Sequence, residues 1–309
     1  MPPLPTAPLC SRWLAGLCAA LLVSCGGEVA LHDPTFVERS ERTWVDLSRT
    51  TPPTSTYAGA PQRTLRVLIW QPVTAGRLPL LVMAHGFGGS PDKFDAFART
   101  VAAAGFVVAA PAFPLTNEAA PGGHDAGLRD YVHQAADISF VITQLVQTAA
   151  ESRLPFAIEQ IAVLGHSLGG TTVIGLTRKN CCHDPRVRAT ILVAAPLFLV
   201  NGFGPDPIAA DGPPTLVMQG TADGFVNYSN AGQIYDLIDP PRFLVGLRGA
   251  GHSEAVESQA APPIAARAAA QQATIAFLNA VFRSGNTALD ETLGSLAAAG
   301  DVIQAQPGT

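Results

Sequence analysis

The chain has 309 residues, 48% hydrophobic and only 14% charged, with a formal net charge of −5. That length and apolar content can bury a large core in one or two domains. The low charge and the absence of a basic run exclude a nucleic-acid-binding surface, and no internal repeat or long charge run divides the chain.

The first stretch reads as an export segment. Arg12 is the only charge before Glu28, and it precedes the apolar run Trp13 to Val23. That run is too short to span a bilayer as a stable helix and has the length of a secretory h-region. It ends in Leu22-Val-Ser-Cys25-Gly-Gly, which resembles the bacterial lipobox, whose cysteine becomes the lipidated first residue of the mature protein. Residues 1–24 are therefore expected to be a lipoprotein-type signal and 25–40 a tether. Cys25 would attach the protein to a membrane, on the periplasmic or cell-surface side. The alternatives are an ordinary signal peptide with secretion, or an uncleaved anchor. Cys10 and Cys18 would leave with the signal, so Cys181 and Cys182 have only each other as intrachain partners. Two packed thiols and one strained ring both remain open. Cys181-Cys-His183 wraps a tetrahedral ion poorly, and no metal is expected.

Further on, Thr43 to Leu47 is expected to be an edge strand, Thr51 to Gln62 a loop and Leu65 to Trp70 a strand. Leu78 to Ala84 is a continuous apolar run of the kind buried on both faces of a parallel sheet. Ser90-Pro91-Asp92 then supplies an N-cap, a proline at the first helical position and an early acid, predicting a helix to about Ala103. Phe106 to Ala110 reads as strand, and Pro111 to Arg129 as a long irregular stretch of the kind that is often functional. The next helix is amphipathic, with Ile138, Val141, Ile142 and Leu145 at i, i+3, i+4 and i+7. Ile161 to Leu164 is a strand, followed by a helix to about Thr177. Val187 to Ala195, Thr215 to Gln219 and Phe243 to Leu247 read as further strands. A second long loop spans Pro196 to Pro214, and helices cover Ala231 to Ile238 and Ile264 to Phe282. Strands alternating with helices predict one α/β domain over 41–283, a mostly parallel sheet of about eight strands with helices on both faces. Residues 284–309 are expected to form a tail, a small helix followed by disorder.

Three turns carry the chemistry. In Gly165-His-Ser167-Leu-Gly-Gly170, a serine stands between a buried strand and a helix, flanked by residues without bulk, where a hydroxyl can be exposed beside a base. Gln219-Gly-Thr-Ala-Asp223-Gly and Gly249-Ala-Gly-His252-Ser follow two later strands. Sites in open α/β sheets lie at the carboxyl ends of strands, so the three turns are expected to converge. The order Ser167, Asp223, His252 casts serine as nucleophile, histidine as proton shuttle and aspartate as the group that fixes the imidazole tautomer. His85 and His124 precede the serine and are poorer candidates for the base. His166 lies within the serine turn and should point away from the nucleophile. The backbone N–H groups of Phe87, in His85-Gly-Phe-Gly-Gly, and of Leu168 are the expected oxyanion donors.

From about Arg63 to Phe282 these motifs resemble the α/β-hydrolase superfamily. The pairing of His85-Gly-Phe-Gly-Gly with Gly165-His-Ser-Leu-Gly-Gly is similar to dienelactone-hydrolase-like, platelet-activating-factor-acetylhydrolase-like and cutinase- or polyester-hydrolase-like esterases, with chlorophyllase nearby. Dienelactone hydrolases proper use cysteine where Ser167 stands. Bacterial polyester hydrolases carry tryptophan where Leu197 follows Ala195-Pro196, so an aromatic platform is missing here. Chlorophyllases usually have arginine at the position of Leu168.

The resemblance implies an α/β-hydrolase fold and a serine esterase that works through an acyl-enzyme without a cofactor. Its substrate would be a small-molecule or polymeric ester with short-to-medium acyl or polyester-like groups, and the enzyme is expected to be a monomer. Phe113, Leu197, Phe198 and Phe225, with Phe87, are candidate pocket walls. The alternatives are an acyltransferase or peptidase on the same three residues, and a non-catalytic surface-binding lipoprotein.

Overall fold

The computed structural model describes residues 37–73, 77–152, 156–258, 264–285 and 287–306. The predicted signal, Cys25 and most of the predicted tether lie outside these residues.

A nine-stranded sheet forms the frame among the described residues. Its strands are β1 (Val37–Asp46), β2 (Arg63–Pro72), β3 (Leu78–Ala84), β4 (Val107–Ala112), β5 (Phe156–His166), β6 (Val187–Val193), β7 (Thr215–Gly220), β8 (Arg242–Leu247) and β9 (Val302–Gln306). Their spatial order is β1-β2-β4-β3-β5-β6-β7-β8-β9. All pairs from β4 through β8 are parallel, while β1, β2 and β9 join antiparallel. This is the α/β-hydrolase fold.

Side-chain alternation along the strands splits the apolar residues between two cores. Leu81, Met83, Leu164 and Met218 face one side, where Phe97 and Val101 of α1 (Asp95–Ala103) and Phe277 of α5 (Ile264–Asn279) cover them. Leu80, Val82, Val163 and Val217 face the other, under α2 (Tyr131–Ser152), α3 (Leu168–Arg178) and α4 (Ser229–Leu237). In α2, the predicted stripe Ile138, Val141, Ile142 and Leu145 is fully buried. No helix among the described residues is long and apolar enough to cross a membrane.

Three expectations need correction. The expected small helix of the tail is present as α6 (Thr287–Ala299), but it buries Leu289, Leu293 and Leu296 against the first core, and in place of disorder β9 pairs with β8. The predicted tether ends earlier than residue 40, because Val37 already pairs with Pro72 in β1. Ser90, Pro91 and Asp92 hold the expected N-cap, first and early-acid positions, but Ser90 makes no side-chain capping hydrogen bond and the segment opens as a 3-10 turn, Pro91–Phe94, before α1 begins. Cys181 and Cys182 are joined as a disulfide, the ring alternative.

A second structural feature ties β2 to α2. The Arg63 guanidinium bonds the Asp137 carboxylate at 2.5 and 2.6 Å and the Asp130 carboxylate at 2.7 and 3.0 Å. All three side chains are buried, and Arg49 adds a second cation 2.8 Å from Asp137.

Candidate active site

Strand β5 delivers Ser167 into a turn that few residues tolerate. Its φ of 52° and ψ of −123° lie in the left-handed half of the map, where an L-residue is strained by about 1–3 kcal/mol. The turn is held by the Ser167 N–H donating to Val193 O at 2.9 Å, and by Ser167 O accepting from Gly170 N at 2.8 Å. Glycine is required on both sides. A Cβ on Gly165 would lie 2.2 Å from Gly169 O, and one on Gly169 would lie 2.2 Å from Ala84 O.

Asp223 and His252 arrive on turns after β7 and β8 that interlock. Ala222 N donates to Ala250 O at 3.0 Å, Thr221 N to Leu247 O at 2.9 Å, and Gly249 N to the Thr221 hydroxyl at 2.8 Å. The result brings the three predicted side chains into one hydrogen-bonded line. His252 Nδ1 lies 2.8 Å from Asp223 Oδ2, and His252 Nε2 lies 2.8 Å from Ser167 Oγ. A carboxylate can only accept, so Nδ1 carries the proton and Nε2 is free to take one from the hydroxyl.

The Asp223 carboxylate is buried, yet saturated with donors. Oδ1 accepts from the N–H groups of Phe225 at 2.8 Å and Val226 at 2.9 Å, and Oδ2 also accepts from Gln219 Nε2 at 2.8 Å. Burial pushes this carboxyl up, but the Val226 N–H, His252 and the Phe225 N–H together hold it below the ordinary aspartate range. For His252, burial and the nearby His166 push the imidazole below the usual histidine value, and Asp223 only partly offsets this. A resting His252 is therefore neutral at neutral pH, as a base must be.

The turn after β3 presses against the serine: a Cβ on Gly86 would lie 3.0 Å from Ser167 Cβ. This turn is braced from every side. Gly89 N donates to Gly86 O at 3.0 Å, Gly88 N to Thr116 O at 2.8 Å, and Lys93 Nζ to Gly88 O at 2.9 Å. His85 serves this bracing. Its Nδ1 donates to Gly86 O at 2.7 Å while its Nε2 accepts from Phe113 N at 3.0 Å. Burial drives the His85 imidazole down to about 4, so it stays neutral. The N–H groups of Phe87 and Leu168, the predicted oxyanion donors, have no acceptor among the described residues. His124, from the long loop after β4, packs edge-on to Phe87 with ring centroids 5.0 Å apart.

The predicted walls divide. Phe113 is fully buried, its ring 4.8 Å from that of His85, so it is core rather than wall. Leu197, Phe198 and Phe225 line a groove of about 730 Å³ with Ile208, Val226 and Leu237. Phe198 and Phe225 are 73% and 83% exposed, and the Phe225 ring lies 5.2 Å from that of His252. One side of the groove, the second long loop, is clamped from beneath. Buried Lys179 donates to the carbonyls of Gly204 and Asp206, and Arg178 to those of Ala209, Ala210, Asp211 and Pro213. No group of three or more His, Cys, Asp or Glu among the described residues could hold a metal ion.

Sequence reasoning did not foresee Gln219 as a donor to Asp223, nor Glu257. Glu257 lies 3.5 Å from the ring of His166, whose other nitrogen reaches the backbone of His252. The spacing of Gln219, four residues before Asp223 on the end of β7, was the one available signal. A model of the chlorophyllase family matches residues 41–197, just over half of the chain. The match takes in the Gly86 and Ser167 turns, with Asp223 and His252 beyond it. No curated protein matches the chain.

Proposed function

From the premise that this chain belongs to the chlorophyllase family of α/β-hydrolase-type serine esterases, we propose that it hydrolyses carboxylic esters through an acyl-enzyme on Ser167. The observation that carries this reading is the unbroken line Asp223–His252–Ser167, built on a strained serine turn. In the proposed reaction, His252 Nε2 takes the Ser167 hydroxyl proton as Oγ attacks the ester carbonyl. The carbonyl oxygen becomes an oxyanion that accepts from the N–H groups of Phe87 and Leu168. The imidazolium, stabilised by Asp223, returns the proton to the leaving alkoxide, and an alcohol departs. Water then repeats the sequence on the acyl-enzyme: His252 takes its proton and gives it to Ser167 Oγ, releasing the carboxylic acid.

The groove beside Phe225 is the proposed seat of one arm of the ester. Of its lining residues only Asp206 carries a charge, which favours short-to-medium apolar groups over anionic ones. The Leu168 departure argues against extending the family's name to the substrate. A nitrophenyl ester series of rising acyl length tests this. The expected result is a preference for apolar chains, with KM raised about tenfold or more for the preferred ester in Phe198→Ser/Phe225→Ser, as loss of buried apolar contact requires. A preference for strongly anionic esters would contradict it. We propose separately, from the lipobox-like Leu22-Val-Ser-Cys25, that Cys25 carries lipid and anchors the enzyme on the exported side of a membrane.

A further inference from the structure

Behind His252 lie a buried histidine and a partly buried glutamate with no part in the reaction as written. His166 side-chain exposure is 2%, and its ring centroid is 5.0 Å from that of His252. Its Nε2 is 2.9 Å from the backbone carbonyl of His252. A carbonyl cannot donate, so Nε2 carries a proton. The other nitrogen, Nδ1, is buried without a hydrogen-bond partner, and it faces Glu257 Oε1 at 3.5 Å. A bare ring nitrogen would turn its lone pair toward a carboxylate there. A second proton would instead complete an ion pair whose imidazole is buried and whose carboxylate is partly so.

The other charged groups nearby are already committed. Lys93 pairs with Glu118 and Gly88 O, Glu254 accepts from Gly251 N, and Asp223 is saturated by its four donors. His85 has both nitrogens engaged as a neutral ring. That leaves Glu257. Burial raises its carboxyl, but His166, Lys93 and the Ser253 hydroxyl outweigh burial and keep it below the ordinary glutamate range, so it is charged.

We propose that His166 and Glu257 form an imidazolium–carboxylate pair that positions the His252 backbone and sets the field in which the His252 ring titrates. The proposal rests on the esterase reading and adds a positioning residue, His166, to it. A positive charge behind His252 disfavours a second one on its ring. The base then stays neutral, and hydrolysis persists, to a lower pH than Asp223 alone would permit.

The test is the acid limb of kcat/KM against pH. The base must be deprotonated, so the rate falls as pH drops through the free-enzyme value of His252. His166→Gln keeps a donor for the His252 carbonyl but cannot carry charge, and it leaves Glu257 unopposed. Its limb is expected to move to higher pH by about half a unit or more. His166→Gln/Glu257→Gln, with both charges gone, returns the limb toward wild type. A limb that stays in place in His166→Gln overturns the proposal. Nitrogen NMR of 15N-histidine-labelled wild-type enzyme tests it without a variant. Both His166 ring nitrogens should be protonated on the rate plateau, and a neutral ring there also overturns it. Active enzyme with an unmoved limb removes only the pair, whereas folded chain with no activity on any ester removes the esterase reading.

Discussion

Replacing Asp223 with asparagine is expected to lower kcat by about ten-thousandfold, with the fold intact. The size follows from how the site orients that side chain. Oδ1 is held by two backbone donors, the N–H groups of Phe225 and Val226. An asparagine will place its carbonyl oxygen there, because an NH₂ group would meet two N–H groups head-on. Its NH₂ must then occupy the Oδ2 position, facing His252 Nδ1 and Gln219 Nε2. Against an NH₂ donor, His252 adopts the tautomer with its proton on Nε2 and can no longer accept from Ser167. The loss is therefore one of tautomer and charge together. Steady-state kinetics on any turned-over ester reads it out, and a fall of less than tenfold would show that Asp223 does not orient the base.

The largest expected effect on stability lies elsewhere, at Arg63. Arg63→Met keeps much of the volume but leaves the buried Asp137 carboxylate with Arg49 alone and takes from the buried Asp130 carboxylate the guanidinium it pairs with. Burial already pushes the Asp130 carboxyl above the ordinary aspartate value despite Arg63 beside it, a sign of how little water reaches the cluster. Removing one partner of a buried ion cluster typically costs about 3–5 kcal/mol, since the uncompensated charge remains. Urea unfolding should show the midpoint falling with the slope unchanged. A loss below about 1 kcal/mol would mean that water or a local shift solvates the two aspartates.

How far the sequence discloses this molecule depends on burial. The inner strands were legible because both their faces are covered, which leaves continuous apolar runs such as Leu78–Ala84. The edges were not. In β1 most side chains face solvent, so Val37 to Arg42 carries no apolar alternation to read. Strand β5 begins at Phe156, five residues before the predicted start, because Glu159 and Gln160 interrupt its apolar run. The last strand, β9, is an edge strand held by its ladder to β8, and its sequence is too mixed to announce it. Helix α6 was legible as a small helix, with Leu289, Leu293 and Leu296 spaced to share one face.

At the site, the residues that announced themselves sit on turns where glycine is demanded by close packing, as at Gly165 and Gly169. Glu257 and Gln219 act through contacts that only the folded chain creates. Phe113 misled for a simpler reason: an apolar ring in a long loop serves a core as readily as a cleft, and here it packs on His85.

If His252 activates Ser167 as a nucleophile, a fluorophosphonate probe added to the folded chain will react with that hydroxyl. Mass spectrometry of the peptides should then find one adduct per chain, on Ser167, and none in Ser167→Ala. A folded chain that stays unlabelled, or that carries the adduct on another residue, would contradict that activation.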